Sequence, residues 1–309
     1  MDARQVAPAL SIIIVNWNTR ELLADCLRSV YATLEGLSGE VFVVDNASSD
    51  GSATMVRERF PQTCLVENGR NLGYARANNQ ALDRCRGRYA LLLNSDTLVE
   101  PGAFQALVAF MDANEHAGAC GPLLLNRDGT LQPSCHPLLT TSREFWRLVL
   151  LDRVWPLASY RMARWPVDEP REVEVIKGAC LLLRRSALAA VGLLDERYFI
   201  YTEEMDLCYR LAQAGWSLWW VPQSRVVHYG ASSTSQLADE MYLQLYRSKG
   251  QFQEKFLGRR GLRRFVWAIK IAYAPRWLVA VLFGLWSPAW QRRAQLYARM
   301  LHERYMPVD

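Results

Sequence analysis

The first patterned stretch of the chain, Leu10–Asn16 (LSIIIVN), is apolar and β-branched apart from Ser11 and its final Asn. A run of this kind predicts a strand covered on both faces, because only a doubly buried strand dispenses with an alternating polar side. Next, Leu22, Leu23, Cys26, Leu27, Val30 and Tyr31 recur at steps of three and four, the spacing of one helix face. The alternation continues with a strand over 41–44 ending in Asp45, a short helix over 52–60, a strand over 63–67 and a helix over 75–85. A strand over 89–93 then ends in Asn94-Ser95-Asp96, and a helix over 103–111 follows Pro101. Strands alternating with helices predict an α/β layered fold around a mainly parallel central sheet.

Residues 122–172 break this rhythm and hold six of the thirteen prolines. They read as an insertion with short helices, a place for a variable binding surface. Order returns over 173–183, with an amphipathic helix over 203–214, a strand over 217–221, and helical sequence from Gly230 to the end. The expected organisation is a body over 1–235 and a helical tail over 236–309.

Within the tail, residues 265–286 (FVWAIKIAYAPRWLVAVLFGLW) form the most apolar stretch, interrupted by Lys270, Pro275 and Arg276. Charges near the middle of a bilayer are costly. The pattern therefore predicts two short helices broken at Pro275 and lying in the membrane interface, anchored by Trp267, Trp277 and Trp286. The other reading of the same residues is a buried helical hairpin that completes the core or a dimer interface, which leaves a homo-oligomer open. Charge favours the first. Thirteen basic and three acidic residues between 247 and 309 leave the rest of the chain at −5, although the whole chain is +5. A mildly acidic body with a basic tail excludes a nucleic-acid protein with a spread basic face and suits contact with an anionic leaflet.

Composition adds limits. With 50% hydrophobic and 22% charged residues, the chain is not disordered, collagenous or a coiled coil. Its seven cysteines form no CxxC pair, which argues against a zinc ribbon or a disulfide scaffold and for a reducing compartment. The N-terminal sequence has no basic-then-apolar signal pattern, so the body is expected in the cytoplasm.

Candidate chemistry gathers at strand ends. Asp45 and Asp96 each follow a buried strand, and ligands of open parallel sheets sit beyond the carboxyl ends of the strands. Asp45 opens DNASSDGS, whose small residues let a flat polar ligand such as a nucleobase and ribose approach; the same loop also reads as a helix cap. Asn94-Ser95-Asp96 reads either as a capped turn or as one carboxylate for a hard divalent cation whose shell a diphosphate completes. Glu203, Glu204 and Asp206 crowd a helix start between aromatic and apolar flanks, where a carboxyl can act as a general base. Glu203 and Asp206 share a helix face and Glu204 is turned from it. His228 ends an apolar strand and is either structural or a metal ligand. Gly178 precedes another apolar strand, where backbone can approach a ligand or simply pack tightly.

Together, SIIIVNWN, VVDNASSDGS, NGRNLGYARANN, LLLNSD, IKGACLLLRRSAL, VGLLDERYFIYTEEMDLCYRLAQAGW and VVHYGASS resemble the family 2 glycosyltransferases of the GT-A fold, and within them the rhamnosyltransferase-like group. The resemblance runs from about Ser11 to His228. It implies an inverting, metal-dependent transferase that uses a nucleotide-activated sugar, a dTDP- or UDP-sugar, with L-rhamnose the sugar that the subgroup resemblance suggests, in cell-surface polysaccharide synthesis. Asn16 and Asp45 would line the nucleotide pocket, and Asn71 and Gly73 match an N-x-G segment near the donor. Asn94-Ser95-Asp96 looks like the DXD motif, with Asp96 on Mg²⁺ or Mn²⁺ and Asn94, in place of the first Asp, on ribose. His228 matches the metal-binding histidine. YTEEMD matches the family's Glu-Asp-x-Asp motif; the base falls on Glu204, with Glu where Asp is usual, and Glu203, Asp206 and Gly178 are expected at the substrates. The acceptor would be a glycan or a polyprenyl-linked glycan at the cytoplasmic face of the plasma membrane.

The alternatives are distinguishable. A nucleotidyltransferase would want a Gly-rich N-terminal phosphate loop, and NWNTRELL has none. An oxidoreductase is disfavoured by the absence of GxGxxG after the first strand. A catalytically silent sugar-nucleotide-binding or membrane scaffold protein is left open by the Glu-for-Asp departure.

Overall fold

The computed structural model describes residues 8–230, 238–303 and Tyr305. In chain order the elements are β1 Leu10–Asn16, α1 Arg20–Thr33, β2 Gly39–Asp45, α2 Ser52–Arg59, β3 Cys64–Glu67, α3 Tyr74–Leu82, β4 Tyr89–Asn94 and β5 Thr97–Val99. There follow α4 Ala103–Ala113, β6 Ala117–Leu125, β7 Leu131–Gln132, β8 Cys135–His136, α5 Thr141–Leu148, β9 Arg171–Glu172, β10 Val175–Ile176 and β11 Cys180–Arg184. The last are α6 Arg185–Val191, α7 Glu203–Gln213, β12 Ser217–His228, α8 Ala238–Gly284 and α9 Pro288–His302. The chain divides into two compact units.

The first unit comprises residues up to His136, Arg161–Phe199 and Glu203–Gln236. Its sheet runs β3-β2-β1-β4-β11-β6-β12-β5, with β7 added to β6 and β9 to β12. The β3-β2-β1-β4 half is parallel throughout. The other half is mixed: β11 is antiparallel to both β4 and β6, β12 is parallel to β6, and β5 is antiparallel to β12. β1 lies between two parallel partners, and Leu10, Ile12, Ile13 and Ile14 are wholly buried, which is why its sequence carries no polar alternation. All seven cysteines are free thiols and only Cys64 is exposed.

Register sets up one rim. Asn16 pairs with Asp45 at the ends of β1 and β2, and Val15 pairs with Asn94 at the end of β4. β11 runs the other way, so its start meets the end of β4, and the Asn94 amide donates to the Ala179 carbonyl at 3.0 Å. The end of β12 pairs His228 with Thr97, and the Tyr229 amide donates to the Asp96 carbonyl at 3.0 Å. Five segments that are remote in sequence thus finish together.

The second unit comprises Pro137–Tyr160, Ile200–Thr202 and the chain from Leu237 on. Inside it, Lys249 Nζ donates to both carboxylate oxygens of Glu144 at 3.0 Å, and Arg147 donates to Glu144 and to the buried Tyr246 hydroxyl. Tyr242, Tyr246, Tyr273 and Tyr305 pack ring against ring. The expected break at Pro275 does not occur: α8 runs through Pro275. Proline's fixed φ is compatible with a helix, and the lost amide donor and the crowding of the carbonyl four residues back, about 3 kcal/mol together, do not end α8 here. The break lies at Gly258 instead, where φ 66° and ψ −173° require a residue without Cβ.

Candidate active site

At the β1–β2 end of the rim, Asn16 Nδ2 donates to Asp45 Oδ2 and to Ser48 Oγ, both at 3.1 Å. The Ser48 amide donates to Asp45 Oδ1 at 2.8 Å. Asp45 therefore shapes its own loop. The capping role falls to Asp50, which accepts from the Ser52 amide at 3.0 Å and the Arg20 amide at 2.8 Å. Thr19 donates to Asn16 Oδ1 at 2.6 Å and shares a 2.9 Å hydrogen bond with Ser95, tying this loop to the Asn94-Ser95-Asp96 turn.

Asn71 and Gly73 act on the backbone here. Asn71 Oδ1 accepts from the Gly73 amide at 2.9 Å and from Asn46 Nδ2 at 2.7 Å. Gly73 has φ 85° and ψ 170°, and a Cβ there would stand 2.8 Å from the Phe199 ring and closer still to its carbonyl oxygen. That close approach lets the Tyr74 amide donate to the Phe199 carbonyl at 2.6 Å. Tyr74 is thereby set so that its hydroxyl lies 3.2 Å from both Asn94 Oδ1 and the Gly178 carbonyl.

The acidic groups meet around that hydroxyl. Asp96 Oδ1 and His228 Nε2 are 3.3 Å apart, and Asn94 Nδ2 is also 3.3 Å from His228 Nε2. Gly178 has no side chain to interpose: a Cβ there would lie 3.7 Å from Glu204 Cβ and 3.8 Å from the Tyr74 hydroxyl. Burial pushes the Tyr74 phenol well up, and Glu203, Glu204 and Asp96 push the same way, so it stays neutral. Glu203 is buried, and burial together with the neighbouring Glu204 carboxylate holds its carboxyl far above the ordinary range. Burial also pulls the Lys177 ammonium down, partly offset by Glu204. Two carboxyls and a lysine in one poorly hydrated spot are the arrangement by which a protein poises a proton acceptor.

Asp206 departs from the expectation that it faces a substrate. It is fully buried, accepts from Arg210 Nε at 2.6 Å and from the Tyr198 hydroxyl at 3.1 Å, and so holds α7 in place. The helix turn that buries Asp206 and Glu203 leaves Glu204 half-buried. Tyr201 and Thr202, just before α7, both hold left-handed backbone at φ 69° and 74°. For side chains of that kind this costs of order 1–3 kcal/mol each, and such strain concentrates at functional sites.

Sequence reasoning missed Tyr74, Lys177, Gln132, Thr19 and Asn46. Tyr74 and Lys177 adjoin recognised residues, Gly73 and Gly178, and adjacency was the available signal. Gln132 had none, because it reaches His228 across 96 positions. Among the described residues no three His, Cys, Asp or Glu side chains converge on one point. Asp96 and His228 supply two donors, one oxygen and one imidazole nitrogen, which suits a divalent cation that takes the rest of its shell from a bound diphosphate.

Residues 11–191 match the family described as glycosyl transferase family 2. Over 209 residues the chain is 35% identical to N-acetylglucosaminyl-diphospho-decaprenol L-rhamnosyltransferase of Mycobacterium tuberculosis, an alignment covering 63% of this chain and 67% of that protein. It is 28% identical over 212 residues to the low-salt glycan biosynthesis hexosyltransferase Agl10 of Haloferax volcanii, covering 65% and 61%. Among solved structures, the mannosyltransferase PcManGT from Pyrobaculum calidifontis in complex with GDP-Man and Mn²⁺ superposes with a TM-score of 0.56 at 17% identity, over 96% of this chain and 86% of that one. GalNAc-T7 with UDP, GalNAc and Mn²⁺ gives the same TM-score at 18% identity, over 79% of this chain and 48% of that one. At these identities the likeness establishes the fold, which is the GT-A arrangement the sequence resemblance implied.

Proposed function

The chain belongs to glycosyl transferase family 2, and from that premise we propose that it transfers a sugar, with L-rhamnose the leading candidate, from a nucleoside-diphosphate donor to a hydroxyl of a lipid-linked glycan, inverting the anomeric centre. The observation that carries this reading is the convergence of Asn94, Asp96, Gly178, Glu204 and His228 around the Tyr74 hydroxyl. Asn16 and Asp45 line the nucleotide side, with Asn71 and Gly73 shaping the loop next to it. Asp96 and His228 would hold Mg²⁺ or Mn²⁺, which when bound offsets the charge of the leaving nucleoside diphosphate. Glu204 takes the proton of the acceptor hydroxyl as it attacks from the face opposite the leaving group. Burial and the neighbouring Glu204 carboxylate raise the Glu203 carboxyl, which disfavours a second negative charge at that spot.

The choice of rhamnose and of a polyprenyl-diphosphate acceptor follows the name of the Mycobacterium relative. A lipid-linked acceptor also suits the second unit, whose α8 contains a window long and apolar enough to cross a membrane by length and composition, 28% of it buried. Trp267, Leu282, Leu285 and Trp286 are exposed. A groove of about 940 Å³ is lined by Arg260, Arg263 and Arg264 beside Leu257, Trp267 and Ile271. With Lys270 and Arg276 in the apolar stretch, we favour a helix that lies in the interface at the cytoplasmic leaflet over one that crosses it.

The test is a panel of nucleotide sugars with Mn²⁺, assayed for donor hydrolysis and for transfer to a polyprenyl-diphosphate N-acetylglucosamine acceptor. Turnover of a dTDP- or UDP-deoxysugar with an inverted product is expected. Failure of every donor to be turned over or to stabilise the protein against heat would overturn the reading.

A further inference from the structure

His228 Nδ1 lies 2.7 Å from Gln132 Oε1. Which ring nitrogen carries the proton depends on whether the Gln132 amide presents its oxygen or its nitrogen to the ring. The surroundings settle this. Gln132 Nε2 lies 3.1 Å from the backbone carbonyl of His228, which can only accept, so that atom must be the NH₂ and the other the oxygen.

The same Nε2 donates to Asn126 Oδ1 at 2.9 Å, and Asn126 Nδ2 donates to Thr130 Oγ1 at 2.9 Å. Thr130 passes its only hydroxyl proton to Asp128 Oδ1 at 2.6 Å. Each direction is forced by the next, from the Asp128 carboxylate back to Gln132. The run NRDGTLQ is the turn from β6 to β7, closed by the Asn126 amide on the Thr130 carbonyl at 2.8 Å and by Gly129 at φ 80°.

An amide oxygen at Nδ1 requires a proton there. The neutral ring then has its lone pair on Nε2, the atom facing Asp96 Oδ1 at 3.3 Å and accepting from Asn94 Nδ2 at 3.3 Å. In that tautomer an imidazole lone pair and a carboxylate oxygen stand side by side, a nitrogen and an oxygen donor that one divalent cation can take together.

We propose that Gln132 is the positioning residue that locks His228 in its Nδ1-protonated tautomer, so that Nε2 and Asp96 form a cation site before any ligand arrives. The inference rests on the metal reading above and extends it to a residue outside every motif of the chain. Partners that orient a ligating histidine are typically worth about 10–100-fold in metal affinity.

The test has two arms. In the metal-free protein, nitrogen-15 NMR of the four histidines, followed to a pH where the rings are neutral, is expected to show the neutral His228 ring protonated at Nδ1 and not at Nε2. In the second arm, Mn²⁺ binding is followed by electron paramagnetic resonance, with and without a nucleoside diphosphate. Gln132→Leu is expected to weaken Mn²⁺ about 10–100-fold and leave metal-free nucleotide binding unchanged. Gln132→Glu keeps an acceptor at Nδ1 but loses the two hydrogen bonds that Nε2 donates, and is expected to restore part of the affinity that Gln132→Leu loses. A neutral His228 ring protonated at Nε2 instead of Nδ1 overturns the inference, as does a folded Gln132→Leu protein with unaltered Mn²⁺ affinity. If the unaltered protein binds no Mn²⁺ while its His228 is Nδ1-protonated, the metal reading fails and the tautomer assignment stands.

Discussion

Replacing Gly73 by alanine tests how the loop after β3 serves the site. The added Cβ would stand 2.8 Å from the Phe199 ring and nearer to its backbone oxygen, where neither backbone can yield without moving the segment. At φ 85° and ψ 170° the residue also occupies a region open essentially to glycine, costing a side chain of order 1–3 kcal/mol. Relief of the clash would break the 2.6 Å hydrogen bond from the Tyr74 amide to the Phe199 carbonyl, worth about 1 kcal/mol. The expected loss of stability is therefore about 2–4 kcal/mol, read from denaturant melts. The functional consequence is separate. Tyr74 would shift away from Asn94 Oδ1 and the Gly178 carbonyl, and a displacement of about 1 Å in a positioning group costs roughly 10²-fold in turnover. Steady-state transfer kinetics on the fraction that remains folded measure it. A Gly73→Ala protein with an unchanged melting midpoint and unchanged turnover would refute the claim that this glycine sets Tyr74.

Three further outcomes are expected. Glu204→Gln should lower turnover by about 10²–10⁴-fold with donor affinity, measured by calorimetry, nearly unchanged; near-normal turnover removes Glu204 from the role. Burial raises the Glu144 carboxyl, but Lys249 and Arg147 outweigh burial and bring it from 4.5 down to about 2. Its contribution of about 3 kcal/mol is thus fully present above pH 4.5 and lost as the pH falls from there towards 2; acid melts of Glu144→Gln that keep the parent's slope over this range would contradict it. Neutralising Arg260, Arg263 and Arg264 together should weaken binding to phosphatidylglycerol vesicles by about 10²-fold at low salt, at about 1 kcal/mol per arginine, and leave phosphatidylcholine binding unaffected; equal binding of the parent to both lipids argues against an anionic leaflet.

Much of this architecture was legible in one dimension. The apolar run of β1, the three- and four-residue steps of α1 and the carboxylates at strand ends report local burial and local period, and these are properties of neighbouring residues. A strand must end somewhere, so a polar residue after an apolar run marks the rim wherever the strand pairs. The sequence therefore located Asp45, Asn94, Asp96 and His228 at strand ends, together with an acidic helix start.

Only the tertiary structure decided what each of these groups faces. Register brought β11 antiparallel against β4, which put Gly178 beside Tyr74 and Glu204. The rotation of α7 buried Asp206 against Arg210 and Tyr198 and set the half-buried Glu204 beside Gly178, a choice that three acids within four residues do not reveal. α8 passed through Pro275 and broke at Gly258, because a left-handed backbone ends a helix where a missing amide proton need not. Gln132 reached His228 because β7 folds back along the end of β6, which pairs with the end of β12, a juxtaposition of positions 96 residues apart that no local pattern encodes. Periodicity carries the information of burial, whereas the partner of a polar group is set by strand order and register, which exist only once the whole sheet has formed.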